Sequence, residues 1–144
     1  MDDARHPPVC LACGAENSSS LGLRMWEEGD EACGEILLDA RHEGAPGVAH
    51  GGAIATLLDD VMGWALQKQS VLVVTGRLEV NYRSPAFLGR RFSLRARLVG
   101  IEGRRRYVAG EMVGEDGTVA EGTGTWVTVG PEHFDGTSDR RDRS

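Results

Sequence analysis

The chain has 144 residues, a formal net charge of -6 at pH 7 and 40% hydrophobic residues, which suits one domain with a real core but not two. The acidic balance disfavours a nucleic-acid-binding protein, because such a domain carries a strongly basic surface. The opening stretch MDDARHPPVC has no apolar signal-peptide core, and no apolar run is long enough to span a bilayer. These features predict a cytoplasmic protein that does not bind membranes.

Residues 1–18 are predicted to be a loose segment, because prolines, a glycine and a serine run disfavour regular structure. The Cys10-x-x-Cys13 pair in this segment resembles half a zinc knuckle, but a structural zinc site needs four ligands. Further candidate ligands are Cys33, His6 and His42. No second CxxC or HxxxH motif is present, and an odd number of cysteines does not indicate a disulfide framework. We therefore expect reduced thiols, no bound metal and no cofactor.

The elements are predicted in the order β-β-α-β-β-β-β. Two strands, a loop rich in glycine and proline, and one long helix come first: 21–26, 33–39, 42–48 and 51–69. Four alternating runs follow: 71–83, 91–101, 105–113 and 118–129. Short turns between these last four strands predict an antiparallel meander. Residues 19–130 are thus one domain, and the polar residues 131–144 are predicted to be a disordered tail.

The predicted helix is apolar over most of its surface, which is typical of a helix surrounded by protein. One such helix and one sheet predict an α+β fold in which the sheet curls around the helix. In the strand at 71–83, strict alternation places Val74, Leu78 and Val80 on one face. Thr75 then lies on the opposite face.

The helix begins with His50-Gly51-Gly52. The N-terminus of a helix offers unpaired backbone N–H groups and the positive end of the dipole, and glycine lets a ligand approach closely. Gly51 and Gly52 could therefore donate to an anion, or to an oxyanion that forms during a reaction. The alternative is that this triplet is only a tight junction between loop and helix.

Two adjacent acids interrupt the apolar helix. At about 100° per residue, Asp59 lies among apolar neighbours, whereas Asp60 lies beside small and polar ones. Desolvation would raise the pKa of Asp59, which suits a general base or a nucleophile. Asp60 is predicted to be either solvated or bonded for structural reasons. The alternative for Asp59 is a boundary carboxylate paired with an arginine.

Gly52 and Asp59 are seven residues apart, or roughly 10 Å along one helix. A reacting carbonyl needs its donor and its base each about 3 Å away, so one copy of the helix cannot supply both. Two helices packed antiparallel about a two-fold axis would bring Gly52 of one copy towards Asp59 of the other. If both groups act on one carbonyl, the sequence predicts a homodimer with two shared sites.

Four stretches of the chain together resemble the PaaI-like group of hotdog-fold acyl-CoA thioesterases: CLACGAENSSSLGLRMW, HGGAIATLLDD, VTGRLEVNYRSP and GEDGTVAEGTGTWV. The resemblance covers about residues 10–130. It implies the hotdog fold, in which a curved antiparallel sheet wraps a long helix. It also implies an acyl-CoA substrate and paired subunits with active sites at their interface, and we expect these homodimers to pair into tetramers.

The resemblance also implies roles for individual residues. In that family a backbone N–H next to the histidine polarises the thioester carbonyl, which corresponds here to Gly51 and Gly52. The acid nine residues after the histidine is the base or nucleophile, which corresponds to Asp59. Thr75 matches a hydroxyl residue that positions water or substrate. His50 is expected to shape the loop and contact the carbonyl side rather than to act as a base.

The chain departs from the family pattern in the loop before the helix. Many relatives carry Asn or Gln there, whereas this chain has His42-Glu43-Gly44. Glu43 could place a second carboxylate near the thioester, or it could cap a turn.

The phosphates of CoA need cationic partners. The candidates are Arg83, Arg90, Arg91 and the run Arg104-Arg105-Arg106. The alternative for each is a solvated charge, because alternating arginines on a strand usually form a solvated face.

The favoured function is therefore hydrolysis of an aryl- or fatty acyl-CoA to CoA and free acid, and two other functions stay open. A hotdog hydratase or dehydratase would use a histidine and a carboxylate as its acid and base, and His50 and Asp59 could be assigned so. A non-catalytic acyl-CoA-binding protein would keep the fold and the arginines without turnover.

Overall fold

The computed structural model describes residues 7–135. It contains one α-helix and six strands among these residues: β1 Arg24–Glu28, β2 Glu31–Leu37, α1 Gly51–Trp64, β3 Val73–Tyr82, β4 Arg91–Glu102, β5 Arg105–Gly114 and β6 Gly117–Thr128. The predicted order β-β-α-β-β-β-β is confirmed. None of the described helices is long and apolar enough to cross a membrane.

The six strands form one antiparallel sheet in the order β1-β2-β4-β5-β6-β3. The predicted meander is correct for β4, β5 and β6 but wrong for β3, which pairs with β6 at the edge of the sheet. The reason lies in the link between β3 and β4, which is a long connection rather than a hairpin turn. In this link the Ala86 carbonyl accepts from Ala49, and Phe87 bridges Val48. The link therefore pairs with the loop before the helix.

The core lies between α1 and the concave face of the sheet. The buried helix residues are Ile54, Leu57, Leu58, Val61, Met62 and Trp64. Burial of each such aliphatic side chain contributes about 2 kcal/mol. A Cβ on Gly122 would lie 3.0 Å from the Met62 sulfur, and one on Gly110 would lie 2.8 Å from Met62 Cγ. These glycines in the sheet let the helix pack closely against it.

The helix ends at Trp64, earlier than the predicted end at residue 69. The chain continues as a 3-10 turn at Gln67–Gln69, and Ser70 follows with a φ of 53°. Leu66 continues the apolar pattern and is only 2% exposed, but it packs into the core from this turn. The apolar period therefore extends beyond the helix itself.

A β-bulge interrupts β3 between Thr75 and Arg77. An extra residue in one strand reverses the alternation of faces beyond it. Thr75 bonds to the helix, and Leu78 and Val80 pack against the core, so all three face α1. The prediction that Thr75 faces away from Leu78 and Val80 is therefore wrong, because the bulge at Gly76 interrupts the strict alternation.

The described residues on either side of the main domain also have defined contacts. Residues 7–23 contain no helix or strand, but backbone N–H groups of Leu21 and Leu23 bond to the carbonyls of Leu11 and Ala12. At the other end, Pro131–Phe134 form a 3-10 turn within the predicted tail. The rest of that tail, from residue 136 onwards, lies outside the described residues, and so does His6.

Candidate active site

The start of α1 is capped by His50. Its Nδ1 accepts a 2.8 Å hydrogen bond from the Gly52 backbone N–H. No partner for the Gly51 N–H lies among residues 7–135. Of the two predicted donors, Gly51 is therefore open to a ligand, whereas Gly52 is engaged by the His50 ring.

Tyr82 fixes the same end of the helix to the sheet. Its hydroxyl donates a 2.6 Å hydrogen bond to the Gly51 carbonyl. A Cβ on Gly51 would lie 3.5 Å from the Tyr82 ring, so the ring packs against this glycine. The role of Tyr82 at the helix start is not predicted from the sequence. The sequence places Tyr82 only at the end of an alternating strand.

Asp59 lies half-buried on α1, facing β3. The Thr75 hydroxyl donates a 2.9 Å hydrogen bond to Asp59 Oδ1. Burial raises the pKa of Asp59, the nearby Asp60 charge raises it further, and the Thr75 hydrogen bond offsets part of the rise. None of the ion pairs found within residues 7–135 includes Asp59, which disfavours the alternative of a carboxylate paired with arginine.

Asp60 points towards the N-terminal segment instead. The Cys10 thiol donates to Asp60 Oδ1 at 3.5 Å, and Cys13 lies in the same cluster. Burial, followed by the Asp60 charge, raises the pKa of the Cys13 thiol. Asp60 is thus bonded for structural reasons, which is one of the two outcomes predicted for it.

The loop before the helix is held by its own residues. Glu43 Oε2 accepts a 2.9 Å hydrogen bond from the Gly47 N–H, so Glu43 caps this turn. His42 is only 1% exposed, and its Nδ1 accepts from the Asp39 N–H while its Nε2 donates to the Leu21 carbonyl. Both ring nitrogens of His42 are occupied, so this residue cannot complete a zinc set with the cysteines.

The candidate CoA-binding arginines are spread over the surface, and all of them are exposed except the half-buried Arg106. Three of them pair with carboxylates: Arg83 with Glu121 at 3.0 Å, Arg90 with Asp116 at 3.2 Å and Arg91 with Glu35 at 3.1 Å. No side-chain partner for Arg104 lies within residues 7–135; it lines a hollow of about 350 Å³ with Glu132 and His133. In the same run, Arg106 donates to the Gly103 carbonyl.

The structure thus brings the predicted site residues together in two groups. Asp59 and Thr75 meet between α1 and β3, and His50 adjoins Gly51 and Gly52 at the start of the helix. It does not place Glu43 in either group, because that carboxylate is bonded within its own loop.

A curved antiparallel sheet around one long helix, with this helix start and a half-buried acid two turns later, defines a hotdog domain of the thioesterase type. A family model described as "Thioesterase superfamily" matches residues 46–121. The chain belongs to this superfamily.

Similar proteins agree with this family. The bovine (Bos taurus) acyl-coenzyme A thioesterase THEM4 is 30% identical over 92 residues, covering 62% of this chain and 38% of its own. The chain therefore spans about two-fifths of the length of that relative.

Two solved structures share the fold. A thioesterase superfamily protein, RHA08564, is 30% identical with a TM-score of 0.76, covering 85% of this chain and 63% of its own. A variant of the phenylacetic acid degradation protein PaaI from Thermus thermophilus is 29% identical with a TM-score of 0.70. It covers 76% of this chain and 95% of its own, so the hotdog fold extends over most of both proteins.

Proposed function

We propose that this protein hydrolyses an acyl-CoA thioester to CoA and free acid, in sites that two copies build together. The observation that carries the proposal is the Asp59–Thr75 pair, a half-buried carboxylate held by a hydroxyl. A carboxylate with a raised pKa is a better base for water than a solvated one. The similarity to acyl-coenzyme A thioesterase THEM4 supports the substrate class.

The Gly51 N–H is the donor to the thioester oxygen in this proposal. It lies at the positive end of the helix dipole, and it has no partner among the described residues. A donor aimed at a developing oxyanion contributes about 3–4 kcal/mol to transition-state stabilisation. His50 holds the helix start in shape by accepting from Gly52.

Donor and base must come from different copies. Gly51 and Asp59 lie on the same helix, eight residues apart, which is roughly 12 Å along its axis. A two-fold arrangement of two helices brings Gly51 of one copy to Asp59 of the other and forms two equivalent sites. The homodimer follows from this requirement, and a pairing of dimers into tetramers and a cytoplasmic location stay predictions.

Asp59 acts in one of two ways. As a general base it takes a proton from water, whose oxygen attacks the carbonyl carbon; the C–S bond then breaks, and the CoA thiolate takes up a proton. As a nucleophile its carboxylate attacks directly, CoA thiolate leaves, and water hydrolyses the resulting anhydride. One turnover in water labelled with oxygen-18 tests for the anhydride, because label appears in Asp59 only when water attacks the Asp59 carbonyl of that anhydride.

The arginines bind the phosphates of CoA in this proposal. The ion pairs of Arg83, Arg90 and Arg91 are exposed, so exchanging a carboxylate for a phosphate costs little. Arg104 has no side-chain partner within the described residues and needs no exchange.

A hydratase is less well supported by the site. Its acid–base pair would need the His50 ring, but His50 Nδ1 already accepts from the Gly52 N–H at the helix start. A non-catalytic binder would have no use for a half-buried base bonded to Thr75.

The test measures the loss of thioester absorbance over a panel of aryl- and fatty acyl-CoAs. We expect Asp59→Asn to lower kcat about 10²–10⁴-fold, because general-base catalysis contributes that much. Asp60→Asn is the matched comparison on the next helix position and should retain far more activity. Equal activity of wild type and Asp59→Asn would overturn the assignment of the base. Binding of acyl-CoA without turnover by wild type would overturn the hydrolase.

A further inference from the structure

A second cluster of reactive side chains surrounds Asp60, the helix residue next to Asp59. Cys10 and Cys13 from the N-terminal segment meet Asp60 from α1, and one ligand atom of each lies within 4.8 Å of the others. All three side chains are half-buried, so an ion can reach them from solvent. The proposed hydrolysis uses none of these three residues.

The spacing of Cys10 and Asp60 fits two ligands of a tetrahedral metal centre, and Cys13 lies within 4.8 Å of both. Zinc lies about 2.3 Å from a thiolate sulfur and about 2.0 Å from a carboxylate oxygen, which places the two ligands about 3.5 Å apart at a tetrahedral angle. The separation of Cys10 Sγ and Asp60 Oδ1 is 3.5 Å. A cation can therefore enter with small shifts of the side chains.

The backbone presents the two thiols on a closed turn. The Gly14 N–H bonds to the Cys10 carbonyl at 2.8 Å. A Cβ at residue 14 would lie 2.4 Å from the Cys10 nitrogen and 2.5 Å from the Pro8 carbonyl oxygen, so only glycine fits there. Bonds from Leu21 and Leu23 to this segment hold the turn against the rest of the domain. The cysteines are thus positioned before any ion binds.

We propose that Cys10, Cys13 and Asp60 bind one thiophilic divalent cation of the zinc class. On binding, the two thiols lose their protons to solvent, and the two thiolates and the Asp60 carboxylate coordinate the ion. The fourth tetrahedral position goes to water. The sequence has no second CxxC or HxxxH motif, and the third ligand comes instead from Asp60 on the helix.

The site links the N-terminal segment to the helix that carries the catalytic machinery. Because the ion binds the folded chain, it should raise the thermal midpoint of unfolding. The proposal does not depend on thioester hydrolysis, and metal content can be measured without any turnover.

The test measures the zinc content of the full chain by elemental mass spectrometry. The protein is purified in reducing buffer, dialysed against buffer that contains zinc, and then dialysed against buffer without zinc. We expect one zinc per chain in wild type, none in the Cys10→Ser/Cys13→Ser double variant, and binding at least about 10-fold weaker in Asp60→Asn. Cys33→Ser is the matched control, because this third cysteine lies outside the cluster. It should hold as much zinc as wild type.

A second measurement on wild type does not depend on the folding of variants. With zinc bound, the Cys10 and Cys13 thiols should be protected from a thiol reagent, and a chelator should expose them, whereas the buried Cys33 should stay unreactive in both cases. Cobalt(II) in place of zinc should give thiolate-to-metal charge-transfer bands. Zinc content far below one per chain, or Cys10 and Cys13 thiols that react equally fast before and after the chelator is added, would overturn the site. A Cys10–Cys13 disulfide that forms in air, with no zinc uptake after reduction, would also overturn it.

Discussion

The Thr75 hydroxyl donates a 2.9 Å hydrogen bond to Asp59, from a strand position that a bulge has turned towards the helix. This bond stabilises the charged form of a carboxylate whose burial favours the neutral form. Thr75 therefore tunes as well as orients the proposed base, and the two effects can be separated by experiment.

The pH dependence of activity should change when Thr75 loses its hydroxyl. The base works in its charged form, so kcat/KM should fall as pH drops through the pKa of Asp59. Thr75→Val removes a hydrogen bond that lowers this pKa, so the midpoint of the profile should move to higher pH. Thr75→Ser should keep the wild-type midpoint. The profiles of kcat/KM against pH are measured on protein treated with a chelator. If the profiles of Thr75→Val and Thr75→Ser coincide, this role of Thr75 is contradicted.

The Gly51 donor can be removed without removing the helix. Proline is favoured at the first position of a helix, and the extended backbone of His50 (φ -62°, ψ 134°) suits a residue before proline. Gly51→Pro should lower kcat about 10²–10³-fold, the loss typical of one oxyanion donor. Gly51→Ala keeps the N–H and should stay close to wild type. Steady-state kinetics giving equal losses in both variants would point to crowding rather than a lost donor.

Shared sites predict recovery of activity on mixing two inactive variants. In a mixed dimer of Asp59→Asn and Gly51→Pro, one site carries both changes and the other carries neither. Random exchange of subunits at equal amounts gives half mixed dimers, so about a quarter of the wild-type specific activity should return. The measurement is turnover after unfolding and refolding the two variants together. If the mixture stays as inactive as its components, each site lies within one copy.

The charged base should destabilise the fold. Burial holds the pKa of Asp59 above its value in the unfolded chain, so stability is full below the unfolded pKa and is lost as pH rises through the folded one. Asp59→Asn removes this charge while its amide oxygen can still accept from Thr75. We expect its thermal midpoint at neutral pH to exceed that of wild type in scanning calorimetry, with a smaller difference at acidic pH. A thermal midpoint of Asp59→Asn below that of wild type at neutral pH would contradict this prediction.

Tyr82 should hold the helix start through its hydroxyl alone. Tyr82→Phe leaves the ring beside Gly51 but removes the bond to the Gly51 carbonyl. The free energy of unfolding should fall by about 0.5–1.5 kcal/mol, the net contribution of one such bond. Denaturant titration measures this change. A variant of unchanged stability would show that solvent replaces the hydroxyl at this exposed position.

The local pattern of the chain was enough to predict the element order and the burial of the helix. Periodicity reports which face of an element is apolar, and it identified Asp59 as the acid on the apolar side. Periodicity did not predict the pairing or the facing of β3. The alternation of apolar and polar residues indicates neither the partner of an edge strand nor the bulge at Gly76.

Contacts between distant segments could not be predicted from the sequence. Asp60 is hydrogen-bonded to Cys10, which is fifty positions away in the chain, and Tyr82 is hydrogen-bonded to Gly51, which is thirty-one positions away. These pairs depend on the sheet bringing strand ends and loops to the helix, which no local pattern contains. The capping role of Glu43 was one of two predicted alternatives, and the bond to Gly47 selects it.

The bulge in β3 has a consequence for how related chains diverge. The direction of the Thr75 hydroxyl depends on an inserted residue, Gly76, and not only on the presence of threonine. A regular strand that kept Gly76 would turn the hydroxyl away from Asp59 with every side chain of the site still encoded. Loss of Gly76 would instead bring Thr75 and Leu78 two positions apart, and regular pleating would keep both side chains on the face towards the helix. A homologue with a one-residue gap at this point would therefore keep the direction of the hydroxyl, whereas a homologue that keeps the residue without the bulge would lose it although its site residues still align.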